Sequence, residues 1–432
     1  MLNWSLVNGA LPSLLTAVGV LAFAVLLLAR RDRRWFTRSV PVVVLVAAAG
    51  VGGVAVLMEW WHPFPEALPL VFWGALGFSL VGVGLAVAAA RRSGWLRRIG
   101  SVLAVLMVLA AGANLVNVHF GQYPTVSTAL GMAPHNQVEF GRIAPRSPDA
   151  VTAAPGQPLS ASWRPPDGMP ATGVVSEVVI PSRTSGFAAR PGWIYLPPAY
   201  LATPRAVLPV LVLLSGQPGS PRDWIDGGGL ATVMDRFAAT HAGLTPVVVV
   251  PDMLGAQLAN PLCLDSRLGK AQAYLTVDVP AWIRATLQVD PDPAGWAVGG
   301  YSAGGTCALQ LAVNSPQVYP TFLDISGQDE PTLGDRARTV HDAFGGDAAA
   351  FAAVNPMDVL ATRRFTASAG AIVAGEHDST YRPQADKVAK QCRRAGMAVE
   401  YRQLPGGHDW RVWRPGLETT LPWLAARLHL TP

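Results

Sequence analysis

Hydrophobic and polar positions divide the chain into three unlike stretches. Within the first 120 residues lie four apolar runs, about 10–29, 40–58, 69–90 and 99–118, none with a charged side chain inside it. Each is close to the ~20 residues that a helix needs to cross a bilayer core. A run without charge on any face predicts a transmembrane helix rather than a helix packed half in water. From about 121 to 172 no period survives, and prolines recur at Pro124, Pro134, Pro145, Pro148, Pro155, Pro158, Pro165, Pro166 and Pro170. This stretch predicts a semi-extended linker. From about 173 to 432 short apolar strands alternate with helices, as in an α/β sheet domain. The expected strands are 174–180, 192–196, 207–214, 246–250, 295–299, 321–325, 369–374 and 398–404. Helices fit about 224–240, 279–287, 305–315, 384–395 and 412–428.

Charge refines the first stretch. Arg30, Arg31, Arg33, Arg34 and Arg38, less Asp32, carry a net +4, and Arg91, Arg92, Arg97 and Arg98 carry another +4. The intervening loop holds Glu59, Trp60, Trp61, His62 and Glu66 and no basic residue. The positive-inside rule places both arginine loops in the cytoplasm, and four spans then put both termini outside. Trp35, Trp60, Trp61 and Trp95 fit the interfacial belt. The first run is too long, and too soon followed by others, to be a cleaved signal peptide. These two loops exceed the whole chain's net +5, so the remainder is net acidic. The basic balance therefore belongs to topology, and no nucleic-acid partner is expected.

The chemistry concentrates in the last stretch. Gly300, Tyr301, Ser302, Ala303 and Gly304 fit G-x-S-x-G between an expected strand and an expected helix. That turn strains the serine and presents its hydroxyl, while glycines let strand and helix approach. Ser302 is the candidate nucleophile. In such domains an acid and then a histidine follow along the chain. His429 ends the terminal helix and His377 reads as a polar neighbour. His408, in a glycine-rich loop after the 398–404 strand, is the candidate base. The acid belongs on the loop after 369–374, where Asp378 is the first candidate and Glu376 the alternative. Asp409 reads as the N-cap of the last helix. A serine hydroxyl needs a base to take its proton, and a carboxylate to orient that base.

Two backbone donors complete the pattern. One is the N–H of Ala303 at the helix start, and the other that of Gln217 in the loop after 207–214; Pro218 has none to offer. Segments 252–278 and 328–365 can shape a pocket, and Tyr274, Trp224 and Trp410 either line it or pack beneath it. Cys263, Cys307 and Cys392 allow one disulfide and one free thiol, with Cys307 expected to be buried. Their spacing matches no zinc pattern, so neither metal nor cofactor is expected.

The elbow, the turn Gly375, Glu376, His377, Asp378 and the segment Pro405, Gly406, Gly407, His408, Asp409, Trp410 together resemble the putative esterase family, which includes esterase D and the antigen 85 mycolyltransferases. Asp265-Ser266 and the 274–280 stretch are similar to it as well. The resemblance covers roughly 173–430 and implies an α/β-hydrolase fold and carboxyl-ester chemistry. The expectation is thus four transmembrane helices followed by an α/β-hydrolase domain. This would be an extracytoplasmic esterase or acyltransferase whose partners are the membrane and a lipid or acyl-ester substrate of the cell envelope. The alternative is a catalytically inactive hydrolase-like domain serving as a binding or regulatory module. Intact serine, acid and histidine in the right order weigh against it. A transporter or sensor with an esterase appended is a further alternative, but the spans lack an intramembrane charge. Asn114 and Asn117 are their polar hints.

Overall fold

The computed structural model describes residues 2–61, 68–90, 94–144 and 146–432. The loop residues His62, Glu66, Arg91 and Arg92, and Pro145, lie outside that set. The chain forms two compact units that divide between Met132 and Ala133.

In the first unit the apolar runs are helices α1 (Ala10–Leu27), α2 (Val40–Trp61), α3 (Leu70–Ala90) and α4 (Trp95–Phe120), and a π-helical turn at Trp35–Ser39 leads into α2. All four are long and apolar enough to cross a membrane. Small residues set their spacing: a Cβ on Gly19 would collide with Ala111, and one on Gly82 would come within 2.7 Å of Val108. Small residues at such contacts let helix backbones approach closely. Asn114 is buried and donates to the Pro12 carbonyl, tying α4 to the start of α1. Asn117 exchanges two bonds with the Tyr123 backbone, so it closes the turn at the end of α4.

The second unit is built on an eight-stranded sheet. Its strands are β1 (Val174–Val178), β2 (Gly192–Leu196), β3 (Val210–Leu214), β4 (Val247–Val250), β5 (Trp296–Tyr301), β6 (Thr321–Ile325), β7 (Ala369–Gly375) and β8 (Ala398–Leu404). Their spatial order is β8-β7-β6-β5-β3-β4-β2-β1. Pairs β1–β2 and β2–β4 are antiparallel and the others parallel. Every residue of β3 through β7 is buried, as unbroken apolar runs demand when both faces are covered. Helices α5 (Leu230–Thr240), α6 (Ala303–Asn314), α7 (Arg382–Arg394) and α8 (Trp410–Arg427) pack around the sheet. All eight expected strands are present, within a few residues of their expected ends.

Two expectations are corrected. A single helix over 224–240 is instead a short helix, Arg222–Asp226, and then α5. Gly229 breaks it with φ 56°, a conformation that side chains other than glycine rarely adopt. The proline-rich linker is no free tether beyond residue 132. Val138 and Val175 share a backbone bond, Ala150–Val151 pairs in parallel with Arg205–Ala206, and Leu159 and Trp163 are buried in the core. The Trp163 indole donates to the Ala242 carbonyl at 2.8 Å. Prolines erase periodicity, but isolated buried anchors such as Leu159 and Trp163 still fix an otherwise largely exposed belt of chain to the domain.

Candidate active site

β5 ends in the elbow. Ser302 sits at φ 53°, ψ −125°, a strained conformation for a residue with a side chain, and its N–H is held by the Ile325 carbonyl at 2.8 Å. A Cβ on Gly300 would stand 2.7 Å from the Leu214 carbonyl oxygen and collide with Gly304. One on Gly304 would be 2.6 Å from the Ser215 oxygen. Both flanking glycines are thus required by backbone contact. α6 begins at Ala303, so the Ala303 N–H lies ahead of the helix ladder, where the positive end of the dipole adds to it.

His408 arrives on the loop after β8. Its Nε2 lies 2.9 Å from Ser302 Oγ, and its Nδ1 lies 3.0 Å from Asp378 Oδ2. A carboxylate only accepts, so Nδ1 carries the proton there and Nε2 is left to accept from the serine hydroxyl. Asp378 is buried, and its Oδ1 accepts the N–H groups of Tyr381 (2.9 Å) and Thr380 (3.2 Å). The two loops are stitched together by Glu376 N–H to the Leu404 carbonyl and His377 N–H to the Gly406 carbonyl. A Cβ on Gly375 would fall 2.5 Å from the Gly407 oxygen, so only glycine permits this approach. Glu376 and His377 point to solvent, and neither they nor the exposed His429 meet the serine. The alternative acid, Glu376, is therefore not brought to the site. Asp409 caps α8, accepting the Arg411 N–H at 2.8 Å.

Gln217 is buried beside the elbow, and its side chain donates to the Leu258 carbonyl at 3.2 Å. Tyr274, Trp224 and Trp410 are buried, and Trp224 donates its indole N–H to the Leu214 carbonyl. They serve as packing. Cys263 and Cys307 form a disulfide that ties the 252–264 loop to α6, and Cys392 is buried and free. Among the described residues no group of three or more His, Cys, Asp or Glu is arranged to hold a metal ion.

Three contributors escaped sequence reasoning. Tyr381 stacks on the His408 ring at 4.0 Å, and Trp413 meets that ring edge-on at 5.1 Å. Asp223 accepts from the Tyr301 hydroxyl at 3.2 Å. Proximity in sequence to Asp378 and His408 is the one signal that marks the first two. Electrostatics add a fourth group. Burial pushes the Asp324 carboxyl, on β6 under the start of α6, up to about 7, against the pull of its bond from the Gly327 N–H.

Sheet order, elbow and the position of the serine, histidine and aspartate loops at the carboxyl ends of β5, β8 and β7 define an α/β hydrolase. Residues 189–424 match the family described as Putative esterase, and the chain belongs to that family. An uncharacterized protein of Corynebacterium glutamicum is 34% identical over 98% of this chain and 97% of its own. That likeness includes the apolar helices. Among solved structures, a ferulic acid esterase aligns with a TM-score of 0.50 at 19% identity, over 59% of this chain and 97% of that one. An S-formylglutathione hydrolase from Agrobacterium tumefaciens gives 0.49 at 19%, over 60% and 97%. Family membership supports a hydrolase of the esterase class.

Proposed function

We propose that this chain is a serine esterase or acyltransferase, anchored by its four apolar helices, whose hydrolase domain stands outside the cytoplasm. Its substrates are acyl esters of envelope lipids. The observation that carries the reading is the unbroken relay from Ser302 Oγ through both ring nitrogens of His408 to Asp378, with links of 2.9 and 3.0 Å. In this reading Ser302 Oγ attacks the ester carbonyl while Nε2 takes its proton. The oxyanion is met by the N–H groups of Ala303 and Gln217. The imidazolium, held by Asp378, returns the proton to the departing alcohol and leaves an acyl-serine. Water, or a sugar or lipid hydroxyl, then enters by the same steps in reverse. Sidedness rests on the arginine-rich loops, and the lipid substrate on the apolar helices that would hold the domain beside a bilayer.

The test is a membrane-impermeant fluorophosphonate on intact cells. Labelling of wild type but not of Ser302→Ala is the expected result. Labelling only after lysis would reverse the topology and keep the enzyme, and labelling in neither preparation would remove the serine hydrolase reading.

A further inference from the structure

Tyr301 occupies the variable position before the nucleophile, and its ring is buried against Trp413 at 4.3 Å and Trp410 at 4.7 Å. Packing alone would be served by phenylalanine. The hydroxyl reaches further, donating to Asp223 Oδ2 at 3.2 Å. That same carboxylate accepts the Ser220 N–H at 3.0 Å on Oδ2 and the Ser220 hydroxyl at 3.2 Å on Oδ1. Ser215 Oγ in turn donates to the Ser220 carbonyl at 2.6 Å and closes the 215–220 loop that bears Gln217, and Asp223 ties the Ser220 end of that loop to Tyr301.

Close contacts leave this loop little room. A Cβ on Gly216 would stand 2.5 Å from the Tyr301 ring and 3.3 Å from Ser302 Cβ, and one on Gly219 would stand 2.7 Å from Asp223 Oδ2. From the other side Arg190 grips Asp252 through Nε (2.9 Å) and Nη2 (2.7 Å), and the same Nη2 donates to the Gly219 carbonyl at 3.0 Å. Burial, with Asp223 beside it, holds the Tyr301 phenol well above its ordinary range, so it stays a donor at any working pH.

An oxyanion hole acts only if both donors aim at one oxygen, within a few tenths of an ångström. Here one donor belongs to the elbow and the other to a separate loop. We propose that Tyr301 is a positioning residue, which locks the Gln217 loop to the nucleophile elbow through Asp223 and so sets the register of the two oxyanion donors. This rests on the esterase reading above. It assigns the variable residue of the motif a task in the acylation step rather than in packing.

Tyr301→Phe removes one hydroxyl and keeps the aromatic stack. In the full chain in detergent, the burst of p-nitrophenol from p-nitrophenyl butyrate reports acylation. Tyr301→Phe should slow the burst about tenfold, with KM within about twofold and Tm nearly unchanged, as expected for a misaimed transition-state donor. Asp223→Asn should slow it in the same way, and the double variant should be no slower than the worse single one. A burst within about twofold of wild type in Tyr301→Phe, or losses that add in the double variant, would overturn the coupling. So would a slower burst explained by a matching drop in Tm. Equal turnover by wild type and Ser302→Ala would instead overturn the esterase reading itself.

Discussion

Residues of one chemical kind behave in opposite ways in the two units. Leu45 and Val46 on α2 are 68% and 66% exposed, whereas Leu211 and Val212 on β3 are fully buried. In the first unit many leucines and valines face outward, and glycine and alanine recur at the helix contacts beside a few buried ones such as Leu85 and Val108. In the second the large apolar side chains fill the interior. Apolar patterning thus reports what surrounds an element: β3 is enclosed by protein on both faces, whereas the outward apolar side chains of α2 are those of a helix long and apolar enough to cross a membrane. It also separates the tasks, because strain and buried polar chemistry gather in the second unit around Ser302.

The sharpest break between the units should come from Ser302→Ala, which leaves the helices untouched and lowers esterase turnover by roughly 10⁴-fold or more. Burst kinetics on purified full-length protein check this. Next is the disulfide, whose partners are 44 residues apart. Chain-entropy arguments for such a loop give about 4 kcal/mol. Cys263→Ser with Cys307→Ser should lower the melting transition of the hydrolase unit, and reductant should then have no further effect.

A paired substitution tests the comparison directly. Leu211→Ala should cost about 2–5 kcal/mol in denaturant unfolding of the hydrolase unit, as a cavity in a packed core does. Leu45→Ala should leave that transition in place. If both shift it equally, the lipid-facing reading of α2 is wrong.

A further effect is a pH dependence. Asp324 holds its proton in the folded state up to about pH 7, while an unfolded aspartate releases it near 3.9. The folded state thus binds more protons between those values, and stability falls as pH rises through that window. Asp324→Asn should flatten this part of the Tm profile and raise Tm relative to wild type above pH 7. A profile parallel to wild type would show the carboxyl to be ionised throughout.

Much of this was legible along the chain, because it depends on near neighbours. Four charge-free runs, eight strands and a glycine-flanked serine are each local patterns, and so is the histidine loop. The 133–172 belt was not legible, since its anchors, Leu159 and Trp163, are single residues among prolines that carry no period. Nor was the break at Gly229, where an isolated positive φ interrupts a helical pattern.

By itself the sequence determined the four apolar helices, the eight strands and the order in which serine, acid and histidine follow along the chain, because periodicity and turn chemistry act over a few residues. Tertiary structure decided what depends on distances between loops far apart in the chain. It turned Asp378 inward and Glu376 to solvent, joined Cys263 to Cys307, and set the Tyr301 hydroxyl on Asp223. Each of those outcomes is a contact between side chains that only packing of the sheet and its helices brings within a bond's reach.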